Sequence, residues 1–235
     1  MQPPRPNAKK YLESRNAARQ LAKTALIDNH PEVVPLVELQ NEYIAGVMLS
    51  LSGCDFSKLA HGLYISDLVV SFTRTHFIAQ DLIGYCELIE AAVLIRKQFE
   101  LLARLHELVK ADKLEHLVCK TPNIREAGEH IRRLYSAYSE VAHSSNPTHL
   151  QLLGRITVNG CEHTPVYPMY DPNAVITLRH QVLTVIAFYD WSYPYLSSVV
   201  SDFDAATANG LIADLAYHYM QTSQSRPLID SAFPG

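Results

Sequence analysis

The chain is 235 residues long, 48% hydrophobic and 19% charged, with a net charge of −4. That balance is too apolar for a disordered chain, and the length suffices to bury a substantial core in one domain. The longest apolar runs, such as Val182–Tyr189, fall far short of the roughly 18 residues a membrane span needs, and the first residues lack the apolar stretch of a signal peptide, so a cytoplasmic protein without membrane contact is expected.

Residues 1–23 carry six basic side chains and one acidic one, a balance of +5, whereas the rest carries fourteen basic and twenty-three acidic, −9. Ala8 to Asp28 is expected to be a helix, ended by Pro31, which disfavours helix at the residue before it. On it Arg15, Arg19 and Lys23 recur every four residues and share one face. Such a face can stay solvated, or meet RNA, an anionic membrane surface or the acidic body of the same fold.

A second helix is expected from Leu36 to about Ser52, a loop or short turn over 54–62, and a third helix over Leu63–Ala79 that continues into the next segment. Asp81–Asp112 is the longest proline-free stretch of helical period and reads as the central helix, with Gly84 as a kink or close contact within it. Another helix is expected from Asn123 to His143, ended by Asn146-Pro147. Leu152–Val158 and Cys161–Tyr167 flank Asn159-Gly160, the dipeptide of a tight hairpin turn, so a β-hairpin is expected over 151–168. Asp171-Pro172 opens a long helix to Val200, interrupted near Pro194, and a last helix covers Asp204 to Gln221 before a frayed or loosely docked tail. The expected fold is mainly α, a single helical bundle of about six to seven helices with one inserted hairpin. The four cysteines have no paired spacing and read as small buried hydrophobes, with no disulfide, metal or other cofactor called for.

Two constellations could carry chemistry. Arg96, Glu100 and Arg104 follow at four-residue intervals beside Leu94, Ile95 and Phe99, so a partly buried ion pair is expected between Arg96 and Glu100. On the following helix Arg132, Ser136, Ser139 and His143 share a narrow band alongside an apolar stripe. His143 can exchange a proton there, or it can simply cap the helix end. Glu140 and His143 form one Glu-x-x-His, without the second copy that a di-iron bundle requires.

The segments Leu94–Leu105 and Tyr135–Ser145 resemble the two motifs of a group of bacterial all-helical proteins of unknown function, an Arg-x-x-x-Glu on one helix and a Tyr-Ser-x-x-x-His-Ser ending the next. That group is similar in architecture to HEPN domains, helical proteins of toxin–antitoxin and antiphage systems, many of them metal-independent ribonucleases. The resemblance covers about residues 60–200. It implies a bundle acting through a protein partner or as a homodimer, in bacterial defence or stress. Alternatively it implies a ribonuclease on RNA, with His143 moving the proton, Arg96 (paired with Glu100) or Arg132 stabilising the phosphate, and Ser139 and Tyr138 touching substrate. The HEPN nucleases place an arginine before their histidine with four to six residues between the two. Here those positions before His143 hold Tyr138, Ala137 and Ser136, so the arginine would have to come from elsewhere in the bundle or from a partner subunit.

Overall fold

A computed structural model describes residues 6–143 and 147–222. Among them are seven α-helices: α1 (Pro6–Asn29), α2 (Val33–Leu51), α3 (Gly62–Gly84), α4 (Leu88–Lys110), α5 (Glu129–Ala142), α6 (Asn173–Val199) and α7 (Ala205–Thr222). Short 3-10 turns fill several connections, and β1 (Ile156–Val158) pairs antiparallel with β2 (Cys161–His163). The expected mainly α bundle with one small hairpin is the fold observed. No helix among the described residues is long and apolar enough to cross a membrane.

The core forms around α4, which packs against α3, α5 and α6, while α2 lies against α6 and α7. Its wide apolar surface explains that position, since Ile95, Phe99, Leu102 and Leu105 are all fully buried. Ring stacking runs along α6: Phe72 on α3 stacks on Phe188 with centroids 4.2 Å apart, Phe188 on Trp191 at 5.6 Å, and Trp191 on Tyr195 at 5.0 Å.

Several expectations are corrected. The stretch Asp81–Asp112 is not one helix, because α3 ends at Gly84 and α4 begins at Leu88. Cys86 takes a left-handed conformation (φ 56°), so its N–H reaches the Ile83 carbonyl and the Glu87 N–H reaches that of Leu82. This is a Schellman ending with cysteine where glycine is usual. A Cβ on Gly84 would meet nothing within 4 Å, so no close helix contact explains that glycine.

The helix expected from Asn123 starts only at Glu129, after a 3-10 turn over Ile124–Ala127 and Gly128 at φ 95°. The hairpin is shorter than expected, although Asn159 (φ 53°) and Gly160 (φ 79°) do form its positive-φ turn. Pro194 does not interrupt α6, which continues to Val199. Of the cysteines only Cys86 is buried; Cys54 is partly buried, and Cys119 and Cys161 are exposed. Asn146 and the tail from Ser223 lie outside the described residues.

The basic face of α1 is answered within the fold. Arg15 Nε donates to Glu87 Oε1 at 3.1 Å and Arg19 Nε to the same oxygen at 3.2 Å. The Glu87 side chain, at the mouth of α4, is only 12% exposed. Arg19 and Lys23 also lie over the Tyr85 ring, 5.1 and 5.8 Å from its centre. These cations hold α1 to the turn between α3 and α4, which is the acidic-body alternative of the four.

Candidate functional site

The residues singled out on α4 and α5 meet where the two helices face each other. Arg96 and Glu100 are one turn apart on α4, and Tyr135 and Ser139 are one turn apart on α5, so two matched columns oppose each other. Arg96 Nε donates to Ser139 Oγ at 3.1 Å, and Nη2 donates to the Tyr135 hydroxyl at 3.2 Å. The same Nη2 is 2.9 Å from Glu100 Oε1, which also accepts the Tyr135 O–H at 2.8 Å. The guanidinium carbon lies 5.4 Å from the Tyr135 ring centre, adding a cation–π contact.

This is a connected network. Tyr135 gives its one proton to Glu100 and accepts from Arg96 with a lone pair, so its hydroxyl is engaged both as donor and as acceptor. Arg96 is 25% and Glu100 28% exposed, which shields the pair from full solvent screening. Tyr135 is not among the candidates that the sequence offers, yet its hydroxyl joins Arg96 to Glu100. The matched four-residue spacing on the two helices was the available signal for it.

The other expected site residues go elsewhere. Tyr138 is 1% exposed, its hydroxyl 2.9 Å from His180 Nδ1 and its ring edge-on to Phe99. Burial pushes its pKa well above the ordinary tyrosine value, and burial together with Arg179 lowers that of His180 to about 4. A neutral pair inside the protein is what those shifts favour, so a substrate-contact role for Tyr138 is corrected to a core role.

Arg132 is on the outside, where it and Arg133 hold Glu129 at 2.8 and 3.0 Å. Hydrogen bonds from Arg132 and then Arg133 bring the Glu129 pKa down to about 2. Arg132 is thus engaged with Glu129 at the surface, and Ser136 is exposed as well.

His143 is the residue just past α5, exposed, with its backbone N–H donating to the Ser139 carbonyl at 3.0 Å. It lies one turn beyond Ser139 on the same face. Glu140 faces His149, whose Nε2 is 4.0 Å from its carboxylate. No group of three or more His, Cys, Asp or Glu suited to a metal ion occurs among the described residues.

Arg104 does not continue the column to Glu100. It is 4% exposed, pairs with Glu107 at 3.1 Å and donates to the carbonyls of Leu117 and Lys120. That pins the connection between α4 and α5 rather than building a site.

Fold and cluster together define a mainly α bundle whose central helix is latched to its neighbour by an Arg–Glu–Tyr–Ser network. Compared with known protein families, curated proteins and solved structures, the chain matches none.

Proposed function

We propose that this protein is an interaction module, acting through protein contacts as a homodimer, and that the Arg96 cluster serves its fold rather than catalysis. The observation that carries the reading is the hairpin. Every residue from Thr157 to Thr164 is exposed, and each short strand pairs only with the other among the described residues. An isolated two-stranded hairpin is marginal in water and leaves two open edges, so a projecting one is suited to pairing with another chain. Val158, 47% exposed, and Val166, 75% exposed, place apolar surface on and beside that arm.

The Arg96 cluster supports the same reading from the other side. Its Nε and Nη2 already hold Ser139, Tyr135 and Glu100, which takes three of the five N–H donors of the fork away from a scissile phosphate. A setting in bacterial defence or stress rests on the family resemblance alone.

The test is the solution mass by light scattering, for the wild type and for a variant in which residues 157–164 are replaced by a short Gly-Ser link. A wild-type dimer and a folded, monomeric variant are expected. Cys161 is exposed on β2 and gives a cross-linking handle for the same question. A wild type that remains monomeric at high concentration contradicts the dimer. Metal-independent RNA cleavage that is lost in folded His143→Ala contradicts the non-catalytic role.

A further inference from the structure

The exposed hairpin has two free edges, and they are chemically unlike. β1 is Ile156, Thr157 and Val158, three β-branched side chains without charge, whereas β2 is Cys161, Glu162 and His163. β-Branched residues suit a strand, and glutamate is depleted from strands. Arg155, the charged residue that flanks β1, is turned back on its own chain: its Nη1 donates to the Gly154 carbonyl and to the Thr164 hydroxyl, both at 3.0 Å.

The turn fixes which backbone groups are left over. Asn159 and Gly160, both at positive φ, make a two-residue loop, so Val158 and Cys161 exchange both of their hydrogen bonds. In an antiparallel ladder the next pair, Thr157 and Glu162, is then a non-bonded one, with its N–H and C=O groups directed away from the hairpin. Thr157 presents the free donor and acceptor of the β1 edge, and Glu162 those of the β2 edge.

Three seams can join two copies, and closure and charge separate them. β1 against a second copy's β2 leaves one edge of each kind open, so it keeps adding copies and builds a fibre. β2 against β2 closes about a two-fold axis, but it sets the two Glu162 carboxylates opposite or diagonal to each other, within about 8 Å, where like charges are destabilising. β1 against β1 closes as well, and no residue of that strand carries a charge.

We propose that the homodimer forms by antiparallel pairing of β1 with β1 of a second copy, giving a four-stranded sheet in the order β2–β1–β1–β2. It rests on the dimer reading above and adds to it which edge pairs. Ile156 and Val158 lie on one face of the strand, so the seam also joins apolar side chains of the two copies. Glu162 then stands on each outer edge, where a charge discourages a further strand and growth stops at two.

Proline tests the edges one at a time. At a residue whose N–H points out of the hairpin it removes an intermolecular donor and leaves the hairpin's own bonds in place. The residues before the two test positions, Ile156 and Cys161, are already extended, as a following proline requires. Thr157→Pro is expected to weaken the dimer at least about tenfold in sedimentation across a dilution series, and Glu162→Pro to stay within about twofold of the wild type. A second readout needs no proline. With the exposed Cys119 and Cys161 replaced by serine, Thr157→Cys is expected to form the intermolecular disulfide at least about tenfold faster than Glu162→Cys under copper–phenanthroline, because the outer strands lie three spacings, about 14 Å, apart. A wild type that stays monomeric, or that grows into fibres, ends the dimer reading and this inference with it. A dimer that Thr157→Pro leaves intact, or that Glu162→Pro weakens as much, overturns the β1 seam and leaves the dimer reading standing. Cross-linking at 162 as fast as at 157 does the same.

Discussion

Two polar regions border α4, and they differ in how completely their groups are paired. Toward α5, Arg96, Glu100, Tyr135 and Ser139 are joined by their hydrogen bonds into one connected set. Toward the end of α6, Pro194 strips a partner from the Asp190 carbonyl, and a cavity opens beside it. A satisfied network rigidifies a helix pair, whereas an unsatisfied group costs stability unless something binds it.

The largest way to sharpen that contrast is to cut beneath the paired region. Phe99 is fully buried and edge-on to Tyr138 at 5.4 Å, so Phe99→Ala is expected to cost about 3–5 kcal/mol in urea unfolding. Val109 at the cavity is 60% exposed, and Val109→Ala should stay within about 0.5 kcal/mol. Similar losses at the two positions would break the contrast.

Pro194→Ala attacks the unpaired side. The new N–H can close the helical bond to Asp190, so unfolding free energy should rise by up to about 3 kcal/mol. An unchanged or lower unfolding free energy would contradict the unpaired carbonyl.

A separate paired group centres on His76 of α3, fully buried between α2 and α6. Its Nε2 is 3.1 Å from Asn41 Oδ1 and its Nδ1 is 3.4 Å from Gln181 Nε2, so the ring donates to Asn41 and accepts from Gln181 as a neutral tautomer. Burial lowers its pKa from 6.5 to about 3. The unfolded chain therefore binds the extra proton first, and stability is complete above about pH 6.5 and falls as the pH drops toward 3. At pH 5 the loss from this ring is about 2 kcal/mol, read as the difference in pH dependence between the wild type and His76→Gln. Identical pH dependence of the two would refute it.

Much of the architecture was legible because helices announce themselves locally. The period of apolar residues on α4, the Asn159-Gly160 turn and Pro172 at the start of α6 are all signals within a few residues. The break after Gly84 was not, since cysteine rarely takes the left-handed position that ends α3 there. Contacts between distant segments were hidden for a different reason. Arg15 and Arg19 meet Glu87 about seventy residues away, and nothing in a spacing rule selects that carboxylate among twenty-four acidic residues. At the site, the Arg96–Glu100 pair was visible as an i, i+4 spacing, while the role of Tyr135 depended on how α5 faces α4. Tyr138 stood as a substrate contact only through the resemblance, and its burial against Phe99 and His180 depends on how α5 faces α4 and α6.

The most direct measurement is a double-mutant cycle on stability, with Arg96→Ala, Tyr135→Phe and the pair, and with His143→Ala alongside. If the cluster is a latch between α4 and α5, the two changes couple by about 1 kcal/mol and His143→Ala stays within about 0.5 kcal/mol. Strictly additive losses, with no coupling between Arg96 and Tyr135, would contradict the latch and return Arg96 to the list of groups free to meet a substrate.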